Sequence, residues 1–314
     1  MALLNFCWGE PKRNLINELT FLDGYKMIKG LFVGLTTLDF LYRVGKAPLE
    51  NQKMAAEKGL CVTGGPTTNA ALVFAHLGGQ VRLLSAIGNH PISNIIKLEL
   101  KEFGVEHVEL TPNRNSLPDL ASVIISNQTG SRTIVGAVDP SIDTIENLNF
   151  DKLLEEINLV YFDCHQLRAC LPLAKEAKKR NIKIIVDAGF FNPLVDELLN
   201  IATAVICSAN FKTLKSNTKQ TILSELSIKG IEFAAISDGE HPLVYRHLDS
   251  TGEIVPDKIQ AIDTLAAGDT LQGAFSYFIS KRNPNSYIED LTQASKIASK
   301  SCLFFGPRTW MKYM

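Results

Sequence analysis

The chain has 314 residues, 46% of them hydrophobic and 21% charged, with a formal net charge of -1. That size and apolar content suit one large or two medium globular α/β units with a substantial core. The near-neutral balance gives no electrostatic reason to expect nucleic acid or an anionic membrane as partner, and no apolar stretch approaches the roughly 18 residues of a membrane span.

Six cysteines, Cys7, Cys61, Cys164, Cys170, Cys207 and Cys302, are scattered without metal-ligand spacing, mostly in apolar surroundings. They read as free thiols in a reducing, cytoplasmic setting. Residues 1–26 lack the apolar core of a signal peptide, because Lys12, Arg13 and Asn14 interrupt it. They are read as an N-terminal extension, or else Met27 is the true start. The folded domain is expected over residues 27–314.

In chain order, residues 30–35 form a short apolar run suited to a buried strand, with Asp39 following it. Residues 43–60 are polar and weakly patterned. Gly64-Gly65-Pro66 is a strong breaker, and Thr67 or Thr68 is expected to cap a helix over 69–77 that stops at Gly78-Gly79. A strand follows over 81–87 and a helix over 92–103. Residues 121–126 and 132–138 are β-like runs around Gln128-Thr129-Gly130, a hairpin signal. Strands over 159–163, 182–186, 204–207 and 231–236 then alternate with helices over 171–180, 193–200 and 218–228. This alternation predicts a doubly wound, mostly parallel sheet. The β-like material near residues 40–62 and 118–138 breaks the rhythm and is expected to form a small separate sheet.

The stretch over 263–279 carries the chemistry. Ala266-Ala267-Gly268 is a small-residue loop running into Asp269, and Leu271, Ala274, Phe275, Phe278 and Ile279 follow at helical spacing. Free N–H groups at a helix start, with the helix dipole, attract an anion. A carboxylate in that place repels the same anion, which makes sense if Asp269 takes a proton from a hydroxyl while the loop stabilises a phosphoryl group. The local pattern alone fits an N-cap Asp on a core helix equally well.

The full string Asp263-Thr264-Leu265-Ala266-Ala267-Gly268-Asp269 resembles the C-terminal signature of the PfkB-type, or ribokinase-like, carbohydrate kinases, usually Asp-Thr-x-Gly-Ala-Gly-Asp. Thr63-Gly64-Gly65 through Asn69 to Leu77-Gly78 resembles the family's N-terminal signature. The segment from Val33 to Asp39 resembles its first strand and Asp, Gly130-Ser131-Arg132-Thr133 its lid hairpin, and Ser237-Asp238-Gly239 its Thr-x-Gly nucleotide turn. The match runs in order from about Met27 to Arg308.

The resemblance implies a ribokinase-like α/β fold: a doubly wound, mostly parallel sheet flanked by helices, with a small β lid. It implies ATP-dependent phosphorylation of a hydroxyl on a sugar-like small molecule, with ATP and Mg²⁺ as cofactors. By position, Asp39, Gly65, Asn69 and Arg132 would serve the substrate, with Gly64-Gly65 as lid hinge. The backbone of Ala266, Ala267 and Gly268 would form the anion hole and Asp269 would be the base. Ser237, Gly239, Thr264 and Asp263 would line the nucleotide, and Asp187 would join the polar network near the phosphates. No residue is assigned as a direct metal ligand. Two lids with apolar outer faces would pair into a homodimer.

The departures are specific. Ser208-Ala209-Asn210-Phe211 stands where many members carry Asn-x-x-Glu, a motif tied to Mg²⁺ and phosphate. Gly88-Asn89-His90 replaces Gly-x-Asp, and Ala266 replaces a glycine, which is acceptable only if its φ need not be positive. The alternatives are a non-catalytic relative with a regulatory or scaffolding role, a binding module without turnover, and a nucleoside kinase of the same fold. An anionic substrate would call for an inward arginine, from among Arg43, Arg114, Arg132 and Arg168.

Overall fold

Strand β1 (Lys29–Val33) is an interior strand of the large sheet, its apolar residues buried on both faces. Leu31 and Val33 point into one hydrophobic cluster and Phe32 into another, as strand alternation requires. The computed structural model describes residues 27–139, 148–281 and 286–314. The N-terminal extension read from the sequence lies outside the described residues.

Around β1 the large sheet adds β4 (Gln80–Ser85), β5 (Glu106–Glu109), β8 (Leu159–Phe162), β9 (Lys183–Ala188), β10 (Ala204–Cys207), β11 (Phe233–Asp238), β12 (His241–His247) and β13 (Ser250–Ile254). The nine strands run in the order β13-β12-β11-β10-β9-β8-β1-β4-β5. All neighbours are parallel except the β11-β12 and β12-β13 pairs. From β1 the chain builds outward in one direction to β4 and later in the other to β8. The C-terminal ends of β1 and β8 therefore flank a topological switch point, where doubly wound sheets open a crevice.

Helices cover both faces. On one side lie α1 (Pro66–His76), α2 (Ser93–Glu102), α7 (Ala267–Lys281) and α8 (Tyr287–Ser301), packed through Phe74, Ile96, Phe275 and Leu291. On the other lie α3 (Phe150–Leu154), α4 (Leu167–Lys179), α5 (Pro193–Leu199) and α6 (Lys219–Ile228), packed through Leu154, Leu173, Leu198 and Leu226. Helices α1 and α7 cross closely at Gly273, where an added Cβ would overlap the carbonyl oxygen of Ala70. That crossing brings the first turns of the two helices together.

The second sheet is separate, as its sequence rhythm predicted. It contains β2 (Thr37–Val44), β3 (Lys58–Gly64), β6 (Leu120–Ser126) and β7 (Arg132–Ala137), in the order β3-β2-β6-β7. One face, with Leu41, Ala121, Val123 and Ile125, packs on Leu265 and Phe305 of the main body.

Two expectations need correction. Helix α1 starts at Pro66, with Gly65 as its N-cap at φ 93, so Thr67 and Thr68 lie inside it and cap nothing. Proline suits a first helical position because its missing N–H has no partner there anyway. Asp269 likewise stands in the first turn of α7, which begins at Ala267, and is not the residue before the helix.

Candidate active site

Asn69 on α1 and Asp269 on α7 meet at the crossing marked by Gly273. Nδ2 of Asn69 donates to Oδ2 of Asp269 at 2.7 Å. Burial pushes the Asp269 carboxyl up to about 6, against the lowering effects of the Asn69 hydrogen bond and the Arg132 charge; Asp163 and Asp39 add to the upward push. A carboxyl near 6 can both give up and accept a proton close to neutral pH.

Beside it, the N–H groups of Gly268 and Asp269 find no acceptor among the described residues. The N–H of Ala267 reaches Thr264 O only at 3.4 Å, and Thr270 N closes the first turn on Ala266 O at 2.8 Å. A Cβ on Gly268 would meet nothing within 4 Å, so open space lies over this turn. Ala266 sits at φ 59. The condition set on its alanine is therefore not met: the loop does use the left-handed region, which costs alanine about 1–2 kcal/mol.

Asp39 is buried. It accepts from Thr37 Oγ1 at 2.5 Å, and burial, opposed by Thr37 and Arg308, raises its carboxyl above the usual range. Gly64 lies against it so closely that an added Cβ would overlap the carboxylate. Arg132 reaches across from β7, its Nη1 donating to Thr264 Oγ1 at 3.1 Å. Thr264 also ties the hairpin tip to this loop, through its N–H and Oγ1 on Gly130 O at 3.2 and 3.0 Å. Asp263 accepts from Leu265 N and Gly306 N, each at 2.8 Å. Its carboxyl is held above the usual range by burial. It therefore shapes the loop by capping backbone groups.

Of the four arginines considered for an anionic substrate, Arg43 and Arg132 share the inner face. Both align with Ile125, whose face packs on Leu265. Arg114 is committed to Asp119 at 3.2 Å and Asp139 at 3.8 Å. Arg168 lies on α4, on the far side of the main sheet.

Ser237 and Gly239 stand at the end of β11. Ser237 Oγ donates to Cys207 O at 3.3 Å, and Gln272 Nε2 of α7 donates to the adjacent Ile206 O at 3.0 Å. The β11 turn and α7 thus flank the same end of β10. Asp187, at the end of β9, accepts from Tyr161 Oη at 3.1 Å. Burial, with Asp269 and Asp163 nearby, pushes its carboxyl up to about 8. Phe211, at the position of the missing Glu, is 1% exposed and packs edge-on against Phe191. No carboxylate reaches the site from there.

Three residues of the site carry no sequence signal. Asp163 follows β8 at the switch point, where its Oδ2 accepts from Leu35 N at 2.9 Å and Thr67 N at 3.1 Å, and its Oδ1 from His165 N at 3.0 Å. This carboxylate, and not a threonine, satisfies the start of α1. Glu99 and Arg308 form a buried ion pair at 3.0 Å beneath Asn69.

The profile described as pfkB family carbohydrate kinase matches residues 27–311. The ribokinase of Bacillus subtilis is 23% identical over 288 residues, covering 89% of this chain and 94% of its own. Mouse ketohexokinase is 22% identical over 296 residues, covering 87% and 95%. Among solved structures, the ribokinase of Arabidopsis thaliana complexed with ribose and ATP superposes with a TM-score of 0.70 at 18% identity, covering 91% of this chain and 98% of that one.

Proposed function

Because the chain belongs to the pfkB family of carbohydrate kinases, we propose that it transfers the γ-phosphoryl group of ATP to a hydroxyl of a sugar or sugar-like small molecule, with Asp269 as the base. One observation carries this reading: a buried carboxyl near pH 6, held by Asn69, stands beside unpartnered N–H groups at the start of α7. Phosphoryl transfer asks the protein mainly for positioning and charge stabilisation. The α7 turn receives the phosphoryl oxygens, and Asp269 orients the acceptor hydroxyl and takes its proton.

Asp39 and Asn69 bind sugar hydroxyls from the floor of the site. The small sheet acts as a lid, bringing Arg132 to the phosphate side, and the nucleotide lies between the Ser237–Gly239 turn and the 263–268 loop. Among the described residues no three His, Cys, Asp or Glu side chains converge to hold a metal alone. The raised carboxyl of Asp187, crowded by Asp163 and Asp269, is nevertheless where a cation relieves repulsion. Mg²⁺ would enter with the nucleotide near Asp187 and supply neutralisation of phosphate charge.

On the outer face of the lid, Tyr42 and Val135 are 43% and 68% exposed, and β7 is an edge strand. Such an edge is a ready pairing surface, and two copies of the chain pair through it. Sedimentation of a monomer at micromolar concentration would dismiss this pairing and leave the kinase reading intact.

The second reading is a non-catalytic relative, favoured by Phe211 at the Glu position and by the strained Ala266. The deciding experiment incubates the protein with ATP and Mg²⁺ against sugars, sugar acids and nucleosides, with phosphorylated product read by mass spectrometry. A product with one class establishes the kinase and its substrate. ATP binding without any product would put the second reading first.

A further inference from the structure

Arg308 lies in the loop after α8, 239 positions from Asn69. Its Nη2 donates to Asn69 Oδ1 at 3.1 Å and also to Thr63 O. Its Nε stands 3.0 Å from Glu99 Oε1, while Glu99 Oε2 accepts from Thr63 N at 2.7 Å. The Glu99–Arg308 pair thus brackets the Thr63 peptide, one residue before Gly64. Arg308 Nε and Nη1 are buried without a hydrogen-bond partner among the described residues, so Glu99 holds the guanidinium by charge and the two Nη2 contacts orient it.

A guanidinium only donates, so the Asn69 atom facing it must be the carbonyl oxygen. An ionised carboxylate only accepts, so the atom facing Asp269 must be the amide nitrogen. Both contacts demand the same amide orientation. We propose that Arg308, anchored by Glu99, is a positioning residue: it locks the Asn69 amide so that Nδ2 holds Asp269 Oδ2 and leaves Oδ1 for the acceptor hydroxyl. The inference rests on Asp269 being the base. Without Arg308 the amide can turn, presenting its oxygen to the carboxylate and losing the bond that favours the ionised form.

The groups that face Asp269 are Asn69 from α1, Arg132 from β7, Asp39 from β2, Asp163 and Tyr161 from the β8 strand and its end, and Asp187 from β9. A change at Arg308 can reach Asp269 either through Asn69 or as bare charge, and the two routes separate in a mutant cycle. The test uses the full chain in a Glu99→Gln background, so that no buried charge is left unpaired. Arg308→Met is made there with Asn69 intact and with Asn69→Leu, and folding is confirmed by thermal unfolding. Carboxyl-carbon NMR then follows the Asp269 titration, its signal identified by its loss in Asp269→Asn.

With Asn69 present, Arg308→Met is expected to raise the Asp269 midpoint by about one pH unit, the worth of one charge-assisted hydrogen bond. The acidic limb of kcat/KM should move with it while the KM for ATP stays. In the Asn69→Leu background the same change should leave the midpoint in place. An equal shift in both backgrounds means bare charge, and no shift in either means no coupling; each overturns the proposal. The titration needs no turnover, so a chain that phosphorylates nothing defeats the functional reading while the relay is still decided.

Discussion

Asn69 Nδ2 and Asp269 Oδ2 are 2.7 Å apart although 200 positions separate the residues in the chain. The contact depends on the close crossing of α1 and α7 at Gly273. In the proposed mechanism it makes Asn69 more than a sugar ligand, because the same amide that would meet a substrate hydroxyl would also orient the proposed base. The two family signatures are therefore the two halves of one hydrogen-bonded unit.

Gly64 tests the acceptor side of that unit. Its Cα abuts the Asp39 carboxylate, and a methyl group there would displace it. Gly64→Ala is expected to raise the KM for the acceptor roughly 10–100-fold, the loss of one or two charge-assisted hydrogen bonds. The KM for ATP should hold, since in the proposed reading Asp39 serves the acceptor and not the nucleotide. Equal changes in both constants would place Asp39 outside the acceptor site.

Ala266 tests the anion loop. At φ 59 an alanine carries about 1–2 kcal/mol of backbone strain that glycine escapes. Glycine in turn gains about 0.4–1 kcal/mol of unfolded-state entropy. Ala266→Gly should therefore raise stability by about 1 kcal/mol or less in urea unfolding, with turnover preserved. Ala266→Val should lower both, because a β-branched residue resists this region. A destabilised glycine variant would show that the buried methyl of Ala266 is what holds the loop.

The large sheet was readable because buried parallel strands such as Leu159–Phe162 and Ala204–Cys207 are continuous apolar runs between helical patterns. The elements that escaped lack that signature. His241–His247 and Ser250–Ile254 are polar antiparallel strands at one end of the sheet, and Glu106–Glu109 carries a glutamate at each end. At the site, local strings pointed to Asp269, Asn69 and Asp39. Asp163, Glu99 and Arg308 were silent because they act on groups 128, 36 and 245 positions away. The same distance explains the misplaced cap: Thr67 and Thr68 have the right chemistry, but Asp163 already fills the start of α1.

Asp187 gives a stability test that needs no substrate. Burial raises its carboxyl from an ordinary 3.8 to about 8, so the folded chain holds a proton that the unfolded chain has released between those values. Stability from this group is full at low pH and declines as pH rises towards 8, by at most about 1.4 kcal/mol per unit. Asp269 adds to the decline up to about pH 6. Asp187→Asn should flatten the slope between pH 6 and 8 and stabilise the chain at pH 8, as read by urea unfolding without nucleotide. An unchanged slope would mean that Asp187 is ionised in the fold.

In the proposed mechanism Asp269 is the residue on which the reaction turns. Asparagine keeps its size and much of its hydrogen bonding but cannot accept a proton. Asp269→Asn is expected to cut turnover by roughly 10²–10⁴-fold, the usual worth of a general base, or about 3–5 kcal/mol of transition-state stabilisation. The wild-type kcat/KM should fall tenfold per unit below about pH 6, where the buried carboxyl keeps its proton. The variant's residual activity should lose that limb. ATP affinity should hold or rise, because a negative charge beside the proposed phosphate-binding turn has gone. Near-normal turnover in the variant, or an acidic limb that survives the substitution, would reduce Asp269 to a first-turn residue of α7 and move the base elsewhere.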